Sequence, residues 1–168
     1  MKVIELDPGM AFGTGRHETT ALCASLMEEA GCSGRKVLDV GCGSGILSIA
    51  AALLGSREVL AVDIDDEAVR TAQENADKNG CSDRIKIIRG DMVKGIDFRA
   101  DIVVANLIAE MIADLSASVR NNMETGGIFV SSGILLEKKD MVVRALGGSG
   151  FTVVKIKEKG EWCSVAAV

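Results

Sequence analysis

The chain has 168 residues and a formal net charge of −5, so it fits one domain with a sizeable core and carries no overall basic footprint for phosphate-driven nucleic-acid binding. Only 3% of its residues are aromatic, with one Trp and no Tyr, which leaves little for stacking bases. Five cysteines, Cys23, Cys32, Cys42, Cys81 and Cys163, are odd in number and never form CxxC, which argues against a disulfide framework or a zinc site.

Residues 1 to about 18 have no strong period and read as an N-terminal extension, followed by a helix expected from about Thr20 to Ala30. From Lys36 onward, short β-branched runs alternate with segments of helical period, the pattern of a parallel sheet covered by helices on both faces. Strand Val37 to Val40 comes first. Ile46, Ile49, Ala50, Leu53 and Leu54 then make an apolar helical stripe closed by Gly55. Strand Glu58 to Val62 precedes a second stripe, Ala68, Val69, Ala72 and Ala76, closed by Asn79-Gly80. Strands Ile85 to Arg89 and Asp101 to Ala105 follow, and then Ile108, Met111, Ile112, Leu115 and Val119 at helical spacing. After strand Ile128 to Ser131, a helix is expected near Leu135 to Leu146. The last strands, Thr152 to Lys157 and Trp162 to Val168, have only the turn Lys159-Gly160 between them and should form an antiparallel hairpin. The first five strands are near-continuous apolar runs, as strands buried on both faces should be. No linker, repeat, signal-peptide pattern or apolar run near ~18 residues interrupts the chain, so one soluble, cytoplasmic domain without membrane association is expected over residues 1–168.

The run Asp39-Val40-Gly41-Cys42-Gly43-Ser44-Gly45 stands between the first strand and its helix. A glycine-rich turn there lets backbone N–H groups approach a ligand, because no Cβ intervenes. A dinucleotide fingerprint needs Gly-x-Gly-x-x-Gly, but the third position is Ile46 counted from Gly41 and Ser48 counted from Gly43. No Gly-Lys-Ser/Thr follows, which excludes a Walker loop. The spacing is Gly-x-Gly-x-Gly with Asp39 two residues ahead, and it resembles the first motif of class I methyltransferases. That resemblance implies S-adenosylmethionine as cofactor, held at Gly41 and Gly43. It also implies an α/β, Rossmann-like, doubly wound sheet of seven mostly parallel strands ending in an antiparallel hairpin.

Asp63 ends the second strand, 22 residues after Gly41, close to the interval at which a carboxylate reaches ribose hydroxyls. The competing role is an N-terminal aspartate for the helix starting near Asp65. Asp91, in Gly90-Asp91-Met92, is placed to accept from an adenine amino group, although Gly-Asp is also ordinary turn chemistry. Asn106 ends the fourth strand at the carboxyl edge, where open α/β sheets bind ligands, and its amide suits the alignment of an amine nucleophile beside a sulfonium. Asn is equally a favoured cap for a helix beginning at Leu107.

The segment Leu6-Asp7-Pro8-Gly9-Met10-Ala11-Phe12-Gly13-Thr14-Gly15-Arg16-His17-Glu18-Thr19-Thr20 resembles the signature of the ribosomal protein L-eleven methyltransferases. The likeness continues in Val37 to Ala50, Ala61 to Asp65 and Val104 to Leu107, in the same order and over nearly the whole chain. Carried over by position, the family's cofactor contacts would be Thr20, Gly41, Asp63 and Asn106; without the resemblance Thr20 reads as a helix cap. The chain departs from the family at Arg16-His17-Glu18-Thr19-Thr20, where Thr-His-Pro-Thr-Thr is usual. The family's N-terminal domain, which grips the ribosomal protein, is not matched, so an excised catalytic domain or a shortened relative is expected.

The resemblance implies methylation of lysine ε-amines and of the N-terminal amine on a large-subunit ribosomal protein. Such a transfer depends on positioning, for which Asn106 is the expected residue. His17, the only histidine, is a general base or, with no identifiable partner, a loop-ordering residue. Rival readings are another acceptor, such as a small molecule, glutamine or RNA, or a cofactor-binding remnant. The Asn-Pro-Pro-Tyr type of sequence that resembles glutamine or adenine methylation is absent, since Asn106-Leu107-Ile108-Ala109 stands there.

Overall fold

The computed structural model describes residues 3–6 and 17–168. Most of the expected N-terminal extension, and the signature residues Asp7 to Arg16, lie outside the described residues. Among the described residues the strands are β1 Lys36–Val40, β2 Glu58–Asp63, β3 Ile85–Arg89, β4 Ala100–Asn106, β5 Met123–Leu135, β6 Val153–Lys159 and β7 Trp162–Ala167. They form one sheet in the order β3-β2-β1-β4-β5-β7-β6. β1 to β5 pair in parallel, and β7 runs antiparallel to both β5 and β6, slotting between them. The helices are α1 Glu18–Ala30, α2 Ile46–Leu53, α3 Asp66–Lys78, α4 Ala109–Ser116 and α5 Lys139–Gly148.

Alternation along the central strands builds two cores. Leu38, Val40, Val62, Val103 and Phe129 face one side with Ile112 and Leu146, and Val37, Val59, Ala61, Ile102 and Val104 face the other with Met27, Ile49 and Ala72. Burial of each such Leu, Ile or Phe contributes roughly 1.5–3 kcal/mol, which accounts for the continuous apolar runs. α1 lies over β5 and β7, and Lys157 of β6 reaches Glu29 and Ser25 near its C-terminal end. No helix among the described residues is long and apolar enough to cross a membrane.

Several boundaries differ from expectation, each for a tertiary reason. β5 does not stop at Ser131. Gly133, with φ of 81°, forms a bulge beyond which Ile134 pairs with Cys163 and Leu135 with Trp162. The helix expected from Leu135 therefore starts only at Lys139, after a 3-10 turn at Leu136–Lys138. The helical stripe from Ile108 to Val119 is also divided: α4 ends at Ser116, and Val119 reaches the core from a 3-10 turn, Val119–Asn122. The hairpin turns at Gly160-Glu161, because β6 continues through Lys159.

Candidate functional site

The carboxyl ends of β1 to β4 and the first turn of α1 enclose a cavity of about 290 Å³. All six residues singled out in the sequence, Thr20, Gly41, Gly43, Asp63, Asp91 and Asn106, line it. The glycine loop is stitched to β2, since the amides of Gly41 and Cys42 both donate to the Val62 carbonyl, at 2.8 and 3.0 Å. Gly41 has φ of 74°, and a Cβ there would lie 2.7 Å from Cδ2 of Leu107. Backbone conformation thus favours glycine at that point, and a Cβ would also push the Leu107 side chain aside.

Asp63 is held by two backbone donors: Gly43 N gives to Oδ2 at 2.9 Å and Asp65 N to Oδ1 at 3.0 Å. The cap of α3 is Asp65, whose carboxylate accepts from Glu67 N at 2.9 Å. Asp63 is therefore oriented at the cavity rather than used as the helix cap. Each of its oxygens keeps accepting capacity, which suits a pair of neighbouring hydroxyls. Asp91 is exposed and pairs with Lys94 at 2.6 Å, an i,i+3 bond within the turn. Its turn chemistry and its place on the cavity wall coexist.

Asn106 does not cap α4, which begins at Ala109 with Ile108 as the capping residue and no side-chain cap. Its Nδ2 lies 3.4 Å from Oγ1 of Thr20. Thr20 is buried and sits inside α1, so it is not the cap either. His17 takes that place: its Nδ1 accepts from Thr19 N at 3.2 Å and lies 2.8 Å from Thr19 Oγ1. An Nδ1 that accepts leaves the proton of the neutral ring on Nε2, which argues against the general-base role and for ordering of the helix start. The ring also stands edge-on to Trp162, with centroids 4.9 Å apart and planes at 75°. Of the pair Arg16 and Glu18, only Glu18 is among the described residues, and its carboxylate lies beside Gly160.

A second cavity of about 230 Å³ adjoins the first, sharing Asn106, Leu107 and Met111 with it, and is closed by His17, Thr19, Ile108, Gly133 and Trp162. Asn106 and Leu107 thus stand on the partition between the two spaces.

The electrostatics of the first cavity are one-sided. Among the described residues its walls include Asp39, Asp63 and Asp91 and no Lys or Arg, although Lys94 beside the wall pairs with Asp91. Asp39 is buried and accepts from Ser48 Oγ at 2.7 Å. Burial pushes its carboxyl up from 3.8 to about 6; the Ser48 hydrogen bond works the other way, and the Asp63 charge adds to the rise. Such walls favour a cationic ligand over a polyphosphate.

Sequence reasoning missed several wall residues. Ile64 lines the cavity while 62% exposed, and Met92 holds the left-handed backbone, with φ of 54°. Ile64 follows Asp63 directly and was legible as an apolar residue just beyond a strand end. Trp162 carried a weaker signal as the only tryptophan, and nothing local marks Met111 as more than core.

Comparison with known proteins bears on the family and the fold. The family model described as ribosomal protein L11 methyltransferase (PrmA) matches residues 1–168. The chain is 47% identical over 163 residues to a ribosomal protein L11 methyltransferase of Alkaliphilus metalliredigens, covering 97% of this chain and 51% of that protein. It is 50% identical over 165 residues to one from Clostridium botulinum (strain Eklund 17B / Type B), covering 98% and 52%. The crystal structure of a ribosomal protein L11 methylase from Lactobacillus delbrueckii subsp. bulgaricus matches with a TM-score of 0.94 at 36% identity, over 99% of this chain and 85% of that one. The chain spans about half the length of the curated relatives it matches.

Proposed function

Because the chain belongs to the ribosomal protein L11 methyltransferase family and has the class I methyltransferase fold, we propose that it is an S-adenosylmethionine-dependent protein N-methyltransferase. Its acceptors are lysine ε-amines and the N-terminal amine of a large-subunit ribosomal protein. The observation that carries this reading is the pair of cavities meeting at Asn106, one with acidic, glycine-lined walls and the other apolar and aromatic.

The first cavity fits the cofactor. The pinned carboxylate of Asp63 suits a ribose diol, the side chain of Ile64 offers an apolar cover for an adenine ring, and Asp91 on the same wall would accept from an amino group. Asp39 and Asp63, with no lysine or arginine lining the cavity among the described residues, suit a sulfonium and disfavour a dinucleotide pyrophosphate. When bound, S-adenosylmethionine supplies an electrophilic methyl group on a cationic sulfur.

The chain's own residues then position the acceptor. The second cavity, of about 230 Å³, has room for an aliphatic stem, which Trp162, Ile108 and Met111 would flank, and Asn106 is on its wall. The Asn106 amide carries both donors and an acceptor, so its oxygen can take an N–H of the amine and fix the direction of the lone pair. Leu107 and Met111, on the walls of both cavities, would help to exclude water from the partition once both are filled. The amine attacks only when neutral, and a free lysine has a pKa near ~10.4, so an apolar pocket that disfavours ammonium assists deprotonation. With His17 engaged as a cap, no described residue lining the second cavity serves as base, and alignment supplies the rate. A ribosomal acceptor and five unpaired cysteines support a cytoplasmic location.

Two measurements test the reading. Calorimetric titration with S-adenosylmethionine should show one site per chain, and radiolabelled methyl groups should pass to isolated ribosomal protein L11. Absence of cofactor binding overturns the reading, and binding without transfer reduces the chain to a cofactor-binding module.

A further inference from the structure

Ser132 and Ser164 are fully buried yet line neither cavity. Ser164 of β7 donates to Ser132 Oγ at 2.5 Å. Ser132 has one hydroxyl proton, and it goes to the carbonyl of Thr19 at 2.7 Å, across 113 residues of sequence. The carbonyl of Ser132 in turn accepts the amide of Leu107 at 3.0 Å, and Ser132 is in register with Asn106. One residue therefore holds the turn of α1 that carries Thr20 by its hydroxyl, and the end of β4 that carries Asn106 by its backbone. An alanine would fill the same space in the core without needing partners, so packing alone does not account for a hydroxyl there.

We propose that Ser132 is a positioning residue for methyl transfer, setting the spacing of Thr20 and Asn106 across the partition between the cavities, with Ser164 orienting its hydroxyl. The inference rests on the proposed reading of the two cavities. Ser132 touches neither cofactor nor acceptor; it acts through Thr19 and Leu107. The bulge at Gly133 belongs to the same device. There a Cβ would lie 2.5 Å from the Leu107 carbonyl and 2.9 Å from Oδ1 of Asn106, so the chain beside Ser132 is pressed against the residues it positions.

The test is Ser132→Ala, read by amide exchange and by cofactor titration. The amides of Thr20 and Ala21 bond to the His17 carbonyl at 3.1 and 3.3 Å and report the first turn of α1 directly. Their exchange should accelerate about tenfold in the variant without cofactor. The dissociation constant for S-adenosylmethionine should rise about tenfold with unchanged stoichiometry, and kcat should fall while KM for the acceptor protein stays put. A lower stoichiometry or melting temperature with unchanged dissociation constant and kcat per site would mean a merely structural role and overturn the proposal. Ser164→Ala keeps the bond to Thr19 but frees its direction, so exchange at Thr20 and Ala21 should rise about threefold; unchanged exchange overturns the proposal, including where Ser132→Ala fails to fold. A parent chain that binds no cofactor overturns the functional reading and this inference together, whereas a binding parent with an unchanged Ser132→Ala overturns the inference alone.

Discussion

Gly43 gives its amide proton to Oδ2 of Asp63 at 2.9 Å, so the loop after β1 and the end of β2 are fastened at a single carboxylate. Asp63→Ala releases both that amide and the amide of Asp65. The cofactor dissociation constant should rise at least about 100-fold, near 2.8 kcal/mol. Stability should fall by about 1–3 kcal/mol for the partners left unmade. Titration calorimetry and urea unfolding measure the two effects separately. A variant that keeps wild-type affinity would remove Asp63 from the site.

Asn106→Ala should separate catalysis from stability. The side chain does not cap α4, and its bond to Thr20 is long, at 3.4 Å. The unfolding free energy should move by less than about 1 kcal/mol. Turnover should drop at least about 100-fold, because alignment of the amine is lost. Single-turnover methyl transfer decides the matter, and an unchanged rate would sink the assignment.

Trp162→Ala should affect the acceptor and spare the cofactor, because Trp162 lines only the second of the two cavities. The acceptor KM should rise about tenfold while the dissociation constant of S-adenosylmethionine stays within about twofold of the parent value. An equal loss on both sides would mean that the two cavities do not act as separate subsites.

The buried carboxyl of Asp39 makes stability depend on pH in a fixed direction. Its pKa rises from 3.8 to about 6 on folding, so between these values the folded chain keeps a proton that the unfolded chain has released. The contribution is present below about pH 4 and is lost as pH rises through about 6, by up to about 3 kcal/mol. Asp39→Asn lacks this titration. Its stability relative to the parent should therefore climb between pH 4 and pH 7 in denaturant melts, and a flat difference would contradict the burial argument.

Gly133→Ala should cost far more than Gly31→Ala, although both glycines have φ near 80°. At Gly31 a Cβ meets nothing within 4 Å, whereas at Gly133 it meets a carbonyl oxygen at 2.5 Å. Backbone strain alone is about 1–2 kcal/mol, and the excess at Gly133 measures the clash. Thermal melts of the two variants give the comparison, and equal losses would show that β5 can yield there.

The sequence made the layered sheet legible because β1, β2 and β4 are buried on both faces, and burial writes itself as continuous apolar runs; β3, at the sheet edge, keeps Lys86 and Arg89 exposed. The hairpin of β6 and β7 was legible from the missing crossover. The course of β5 was not, since Ser132 and Gly133 look like a strand end until β7 is present to pair beyond them. Thr20 read as a cap for a comparable reason: the residue that caps α1 is a histidine, which propensity does not favour. At the site, Asp63 and Asn106 stood out because the carboxyl edge of a parallel sheet follows from topology. Met92 and Trp162 did not, because their place depends on how a turn and a hairpin fold back over that edge.

All five cysteines are buried, and burial raises every one of their thiols above its ordinary value. They fall in α1, in the turn after it, in the glycine loop, after α3 and in β7. Each is thus silent towards a thiol-specific reagent until its own neighbourhood opens. Timed alkylation followed by peptide mass analysis would read five separate clocks from the unaltered chain. The clock at Cys42 should slow when cofactor holds the glycine loop closed, and the clock at Cys81 should keep its pace.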